Sequence, residues 1–216
     1  MNVRVLIFGA NGFLAKKFNH LYKERFSIEN VYRKDKTGDL HFDFVDDNVS
    51  VISQKLTGPY KAVLFFQGIQ PSVGAKDMDE DHFEQMLKIN LVIPSLLVKE
   101  LAGKMESGAL VLFVSSVARK KGSYDPSYAS AKAGLIGLMH SLANAWPALR
   151  FNCISPGLIE GSPVFENMTP DFRQKHALRM FGHSFIQAED VVTIVAELIE
   201  NKSINRTNIE IDGGYN

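Results

Sequence analysis

Short apolar runs alternate along the whole chain with longer segments of helical periodicity, and this alternation limits the possible folds more than any other feature. Runs such as Val3–Phe8 and Ala62–Phe66 are rich in β-branched and aromatic residues, and a glycine follows soon after each. Such uniformly apolar runs are typical of strands buried on both faces. The pattern predicts an α/β fold, with a doubly wound parallel sheet flanked by helices.

The predicted elements form a single domain over residues 1–216, with no internal repeat and no linker. The predicted strands are Val3–Phe8, Ser27–Arg33, Leu40–Phe44, Ala62–Phe66, Leu110–Val114, Arg150–Ile154 and Asn208–Ile211. The predicted helices are Phe13–Arg25, Val49–Leu56, Asp79–Met105, Tyr128–Ala145 and Ala188–Glu200. A long loop over about 158–187 is expected to form a substrate lid, and its apolar residues suit either a substrate pocket or packing onto the protein.

Charge and composition exclude several classes of partner. The chain has 24 basic and 24 acidic side chains, so neither nucleic acid nor an anionic membrane is an expected partner. No apolar stretch approaches the roughly 20 residues of a membrane helix, and the N-terminal apolar run stops at Gly9, which is too short for a signal peptide. Cys153 is the single cysteine, and the six histidines lack metal-ligand spacing. We therefore expect a soluble, cytoplasmic protein without a metal site.

A glycine-rich turn follows the first predicted strand and opens the first predicted helix. Gly9 permits a tight turn, Gly12 allows a pyrophosphate to approach the backbone amides, and the small Ala15 permits close packing of helix on strand. The helix N-terminus adds a favourable site for phosphate. This strand–turn–helix context predicts dinucleotide binding.

Tyr128 and Lys132 are four residues apart in a predicted helix, so their side chains project from one face. An ammonium group beside a phenol favours the phenolate and should lower its pKa from about 10. The pair therefore predicts a tyrosine that serves as an acid or base near neutral pH.

Together these motifs resemble the short-chain dehydrogenase/reductase family over nearly the whole chain. The resemblance is carried by the glycine turn, Ser115-Ser116, Tyr128 with Lys132, Lys88-Ile89-Asn90-Leu91, Ser155-Pro156-Gly157 and Asp212-Gly213-Gly214. It implies an NAD(P)-dependent oxidoreductase on a single Rossmann-type domain, which interconverts a carbonyl and an alcohol on a small-molecule substrate.

The resemblance also implies a role for each catalytic residue. Tyr128 would donate a proton to the substrate carbonyl oxygen, while Lys132 would lower the pKa of Tyr128 and hold the nicotinamide ribose. Ser116 would polarise the carbonyl, although the spacing to Tyr128 leaves Ser115 as an alternative. Asn90 would distort its helix and hold a water that relays protons to Lys132.

Cofactor-binding positions follow from the same resemblance, with Asp43 expected to meet the adenine amino group. The implied residues are Gly9, Asn11, Gly12, Phe13, Leu14, Arg33, Asp43, Gly68, Tyr128, Lys132, Pro156, Gly157 and Ile159. After the second strand the chain carries Tyr32-Arg33-Lys34, a basic run that suits the 2′-phosphate of NADP, although Asp35 is close by. NADP is therefore favoured, and NAD stays possible.

The chain also departs from the family pattern. Phe8 replaces a threonine, Phe65-Phe66-Gln67-Gly68 replaces Asn-Asn-Ala-Gly, and Gly161 replaces a threonine after Pro156-Gly157. A non-catalytic NADP(H)-binding regulator or scaffold is the alternative that these departures motivate, and a lyase or isomerase that uses bound cofactor internally is a third reading. The family assembles through its two long helices, so a homodimer or homotetramer is expected.

Overall fold

Seven parallel strands form one sheet at the centre of the protein. The structure is a computed structural model that describes residues 3–33 and 40–215. The strands in those residues are β1 Val3–Phe8, β2 Phe26–Tyr32, β3 Leu40–His41, β4 Tyr60–Phe65, β5 Met105–Val114, β6 Arg150–Pro156 and β7 Asn208–Ile211. They are ordered β3-β2-β1-β4-β5-β6-β7, and every neighbouring pair is parallel.

Helices cover both faces of the sheet, as a doubly wound fold requires. The described helices are α1 Phe13–Tyr22, α2 Val49–Lys55, α3 Glu80–Leu87, α4 Ile93–Leu101, α5 Ala118–Lys121, α6 Pro126–Ala145, α7 Pro163–Glu166, α8 Pro170–Ala177 and α9 Ala188–Glu200. Leu6 and Phe8 of β1 face a core shared with α2, α4 and α6. Val5 and Ile7 face a second core shared with α1 and α9. The predicted doubly wound α/β fold is confirmed.

The strand order reverses between β1 and β4, which are neighbours in the sheet although β2 and β3 lie between them in sequence. The connections from these two strands leave toward opposite sides, so a crevice opens at their carboxyl ends. The turn that begins at Gly9 follows β1, and the segment Phe66–Gly68 follows β4. The predicted dinucleotide turn therefore lies at the switch point of the sheet.

The helix predicted over Asp79–Met105 is interrupted around Asn90, where the resemblance implied a distortion, and it ends before Met105. A π-helical turn over Lys88–Val92 separates α3 from α4, and Met105 already begins β5. Pro94 explains the break, because it has no N–H to bond the carbonyl of Asn90 four residues earlier. The Ile93 N–H instead bonds the carbonyl of Lys88, which is the longer spacing of a π-turn.

The lid segment predicted as a loop contains short helices. Ser162 caps α7 by accepting a hydrogen bond from Phe165 N, and Thr169 caps α8 in the same way from Phe172 N. A proline follows each cap at the first helical position, where its missing N–H costs nothing. The third strand is also shorter than predicted, because it covers only Leu40–His41.

Arg150 fastens β6 to the end of α9. Its guanidinium is almost fully buried and donates to backbone carbonyl oxygens of Gly108, Leu198, Ile199, Asn201 and Ile204. The charge thereby satisfies carbonyls that the C-terminus of α9 leaves without intrahelical partners. Cys153, on the same strand, is also fully buried. Within the described ranges no helix is long and apolar enough to cross a membrane.

Candidate active site

Tyr128 and Lys132 lie in the first turns of α6, on one face of the helix. The ammonium nitrogen of Lys132 is 5.6 Å from the centroid of the Tyr128 ring. Lys132 is buried, and its ammonium donates a 2.8 Å hydrogen bond to the carbonyl oxygen of Val114, at the end of β5. Burial lowers the pKa of Lys132 to about 8, so the ammonium is retained near neutral pH and loses its proton readily above it.

The pKa of Tyr128 moves opposite to the direction that its spacing from Lys132 predicts. Burial raises the pKa of this phenol, and a side-chain hydrogen bond with Ser116 only partly opposes the increase. The ammonium of Lys132 is directed to the Val114 carbonyl instead of the phenol oxygen. Tyr128 is therefore protonated near neutral pH, as an ordinary tyrosine is, and in this arrangement it is a weaker acid than the sequence predicted.

The two neighbouring serines have different contacts. Ser116 is hydrogen-bonded to Tyr128, and its hydroxyl oxygen also accepts from the backbone N–H of Ala118. Ser115 is buried, and its hydroxyl donates a 2.7 Å hydrogen bond to the carbonyl oxygen of Lys132. Ser116 is thus the serine next to the phenol, whereas Ser115 holds the helix backbone.

Asn90 joins this group from the π-helical turn. Its amide nitrogen donates to the carbonyl oxygens of Met86 and Ile69, at 3.1 and 3.4 Å. Its buried Oδ1 has no hydrogen-bond partner in the described part of the chain. A Cβ atom placed on Gly68 would lie 2.7 Å from this Oδ1 and 3.4 Å from Nζ of Lys132. Gly68 therefore brings the end of β4 against both side chains, and a larger residue would collide with them.

The glycine turn lies against the segment that follows β4. Gly9 has a φ of +81°, and a Cβ atom there would be 2.5 Å from both N and Cα of Gln67. Gly12 precedes α1 without a capping side chain, so the first turn of this helix, at Phe13 and Leu14, has no side-chain acceptor for its amides. Such a helix start suits an anionic phosphate, so the turn fits the pyrophosphate of a dinucleotide.

Two predicted cofactor residues, Arg33 and Asp43, meet at the far side of the turn. Nε of Arg33 is 3.7 Å from Oδ2 of Asp43, and the backbone N–H of Arg33 donates to Oδ1 of Asn11. The same buried Nε has no hydrogen-bond partner within residues 3–33 and 40–215. Lys34 and Asp35, which also entered the prediction of cofactor preference, lie outside the described residues.

The end of β6 and the start of the lid segment contain three predicted cofactor residues, Pro156, Gly157 and Ile159. A Cβ atom on Gly157 would be 3.1 Å from Cα of Asp212, so the strand end packs tightly on the turn after β7. Ile159 forms a parallel bridge with Ile186 and joins the two ends of the lid segment. These residues line the same carboxyl edge of the sheet as the glycine turn.

A buried carboxylate, Asp125, holds the start of α6 and was missed by the sequence analysis. Oδ1 accepts from the backbone N–H groups of Ser127 and Tyr128, and from the Ser127 hydroxyl. Oδ2 accepts from Ser72 N at 3.0 Å and lies 3.0 Å from Nε2 of His82. The Asp-Pro pair at the start of the helix is an N-cap signal, so the capping of α6 by Oδ1 could have been predicted. The contacts of Oδ2 with Ser72 and His82 have no such signal.

Known proteins are similar to most of this chain. A family model described as Enoyl-(Acyl carrier protein) reductase matches residues 43–216. "Dehydrogenase/reductase SDR family member 2, mitochondrial" of Homo sapiens is 33% identical over 163 residues, which are 68% of this chain and 55% of that protein. "(+)-borneol dehydrogenase 1" of Salvia officinalis is 29% identical over 156 residues, which are 67% of this chain and 60% of that protein. The chain thus matches little more than half the length of these relatives.

A solved structure extends the likeness of fold to almost the whole chain. The crystal structure of BdcA in complex with NADPH superimposes with a TM-score of 0.88, covering 99% of this chain and 94% of that one at 22% identity. At this level of identity the comparison concerns the fold alone. The high TM-score supports the α/β fold described above.

Replacing Asp125 by alanine should destabilise the protein by about 3 kcal/mol, because the buried N–H groups and His82 lose their common acceptor. Burial opposes ionisation of Asp125, but hydrogen bonds from Ser127, Ser72 and His82 outweigh it and hold the pKa of this carboxyl well below its usual range. Its contribution to stability is therefore present above the unfolded pKa and is lost as the pH falls toward the folded one. Urea unfolding at pH 7 and at acidic pH measures both effects.

Asp171→Ala is the matched control, since this exposed aspartate pairs with Lys175 on the surface of α8. It should leave the unfolding midpoint nearly unchanged. Two results would contradict the assigned role of Asp125. One is an equally small effect of Asp125→Ala at pH 7, and the other is an Asp125→Ala protein that loses as much stability on acidification as the wild type does.

Proposed function

The chain belongs to the short-chain dehydrogenase/reductase family, and on that premise we propose that it is an NAD(P)-dependent oxidoreductase that interconverts a carbonyl and an alcohol on a small molecule. The observation that carries the proposal is the group formed by Ser116, Tyr128 and Lys132 at the carboxyl edge of the sheet. Gly68 lies between this group and Asn90, close to both Lys132 and Asn90. A regulator that only binds cofactor would not need a serine hydroxyl bonded to a protonated phenol.

Reduction of a carbonyl requires a hydride at carbon and a proton at oxygen, and a bound nicotinamide cofactor would supply the hydride. Tyr128 is proposed to give the proton, since its neutral phenol lies beside Ser116 and the Lys132 ammonium. Ser116 would donate a hydrogen bond to the same carbonyl oxygen and orient it toward Tyr128. The buried Lys132 ammonium would stabilise the phenolate that forms and return a proton to it.

NADP(H) is the proposed cofactor, with the 2′-phosphate bound by Arg33. Support comes from the Arg33 guanidinium, whose Nε lacks a hydrogen-bond partner within the described ranges and whose carboxylate neighbour, Asp43, is 3.7 Å away. Asn11 ties the Arg33 backbone to the glycine turn, so the guanidinium is near the place where the adenosine end would extend. Asp43 would then serve the adenine amino group while it orients Arg33.

Tyr128→Phe should abolish most turnover and leave cofactor binding intact. Loss of a general acid typically costs roughly 10²- to 10⁴-fold in rate, whereas the phenyl ring retains the packing. The measurement is a fluorescence titration with NADPH and NADH, followed by cofactor oxidation against a panel of ketones and aldehydes.

Tyr22→Phe is the matched control, because the Tyr22 phenol only donates a hydrogen bond to the Thr193 hydroxyl, between α1 and α9. It should turn over at the wild-type rate. NADPH binding without turnover of any carbonyl by the wild type would favour the regulator, and wild-type turnover by Tyr128→Phe would remove Tyr128 from the reaction. If neither cofactor binds, the proposed function fails as a whole.

Arg33→Ala should weaken NADPH binding roughly tenfold, since a charge-assisted hydrogen bond contributes about 1.5 kcal/mol or more. NADH lacks the 2′-phosphate, so its affinity should change far less. Arg25→Ala, which removes an exposed arginine paired with Glu200, is the control and should change neither affinity. An equal loss for both cofactors would contradict the role in phosphate recognition.

Self-association is proposed through the α4 and α6 helices. Leu96 of α4 and Val92, just before this helix, expose 40% and 44% of their surface, so both apolar side chains are available for an interface. A monomer in light scattering at micromolar concentration would reject the assembly. Leu96→Glu should shift an oligomer toward monomer, whereas Leu21→Glu on α1, where the leucine is similarly exposed, should not.

A further inference from the structure

We propose that Gln67 is a cofactor-binding residue of this chain, which takes a ribose hydroxyl of the dinucleotide through its side-chain carboxamide. The inference deepens the proposed function and rests on it. It concerns a position where the family pattern has an alanine, so it adds a polar contact that the common motif does not provide.

The first observation is the burial of an amide without partners. Gln67 is 7% exposed, and neither Oε1 nor Nε2 has a hydrogen-bond partner among the residues that the structure describes. A buried carboxamide that makes no hydrogen bond typically costs about 1–3 kcal/mol. Native proteins rarely keep a buried amide unpaired, so the missing hydrogen-bond partner of Gln67 is expected to be a ligand.

The second observation is the position of this residue in the crevice. On one side, the backbone of Gln67 is so close to the glycine turn that a Cβ atom on Gly9 would be 2.5 Å from it. On the other side, the next residue, Gly68, lies against Asn90 Oδ1 and Lys132 Nζ. Gln67 therefore lies between the phosphate-binding turn and the catalytic group, along the path that a bound dinucleotide would follow.

The chemistry of the carboxamide selects the part of the ligand. Oε1 accepts hydrogen bonds and Nε2 donates them, so both are satisfied together only by a group that also has both functions. Phosphate oxygens at neutral pH accept almost exclusively and would leave Oε1 alone. A ribose hydroxyl donates and accepts, and the dinucleotide has such hydroxyls on either side of its pyrophosphate.

Contact with a ligand requires a rotation of the side chain, since both polar atoms are covered by protein in this conformation. Glutamine has three side-chain torsions and can turn its amide without moving the backbone, which Gly9 holds in place. The rotation replaces two unsatisfied atoms by hydrogen bonds to the ligand. Binding would therefore recover a cost that the free protein carries.

Gln67→Met tests this assignment, because methionine keeps the length of the side chain and removes both hydrogen-bonding groups. We expect NADPH to bind about tenfold more weakly, as the loss of one to two hydrogen bonds predicts. At the same time, the cofactor-free protein should be as stable as the wild type or more stable in thermal unfolding, because an unpaired buried amide has been removed. A purely structural glutamine would instead lose stability when replaced.

Gln54→Met is the matched control, since Gln54 is an exposed residue on α2. It should change neither NADPH affinity nor stability. Adenosine 2′,5′-bisphosphate, which lacks the nicotinamide ribose, distinguishes the two sugars. If its affinity also falls in Gln67→Met, the adenosine ribose is the partner, and if only NADPH weakens, the nicotinamide ribose is.

Unchanged NADPH affinity in a folded Gln67→Met protein overturns the inference and leaves the proposed function intact. If the wild type binds neither NADPH nor NADH, the proposed function and the inference fall together. Should Gln67→Met not fold, Gln67→Leu removes both hydrogen-bonding groups with a shorter uncharged side chain. It must then bind NADPH more weakly than the wild type, and equal binding also overturns the inference.

Discussion

The whole candidate site is arranged around the close approach of the Gly9 turn to the backbone of Gln67. No side chain fits at residue 9, so the turn after β1 and the segment after β4 are held at backbone contact. Directly beneath them, Phe8, Phe65 and Phe113 stack at successive 5.3 Å spacings across β1, β4 and β5. These three rings pack the core directly below the glycine turn and the segment after β4.

The site concentrates polar groups that would lower stability elsewhere in the protein. Lys132, Asp125, Asn90 and Gln67 are all buried, and burial disfavours the charged forms of the first two. Asp125 is compensated by a full set of donors, whereas Asn90 and Gln67 each retain atoms without a partner within the described ranges. The compensated group lies where α6 must be held, and the uncompensated groups lie where a ligand would pass. That division separates the scaffold of the site from its binding surface.

Local patterns in the sequence predicted the elements well and their interruptions poorly. The seven strands and the turn at Gly9 were recognisable because apolar runs and glycine positions are local signals. The distortion at Asn90 was expected only from the family resemblance, because the missing N–H at Pro94 that accompanies the π-turn leaves no mark in the helical periodicity. The contact of Asp125 with His82 joins residues 43 positions apart, and the pKa of Tyr128 depends on how deeply α6 is buried. Such quantities arise from packing between distant segments and have no local signature.

The different pKa shifts of Tyr128 and Lys132 bear on how the proposed proton transfer would take place. Burial acts on both groups, and it favours the neutral phenol while it weakens the hold of Lys132 on its proton. A neutral phenol can donate a proton, but its raised pKa makes it a weaker acid than an ordinary tyrosine. In the proposed reaction the Lys132 ammonium would have to turn from the Val114 carbonyl toward the phenol oxygen to lower that pKa. The placement of this one ammonium, 5.6 Å from the ring centroid, therefore separates the free protein from the arrangement that the proposed chemistry needs.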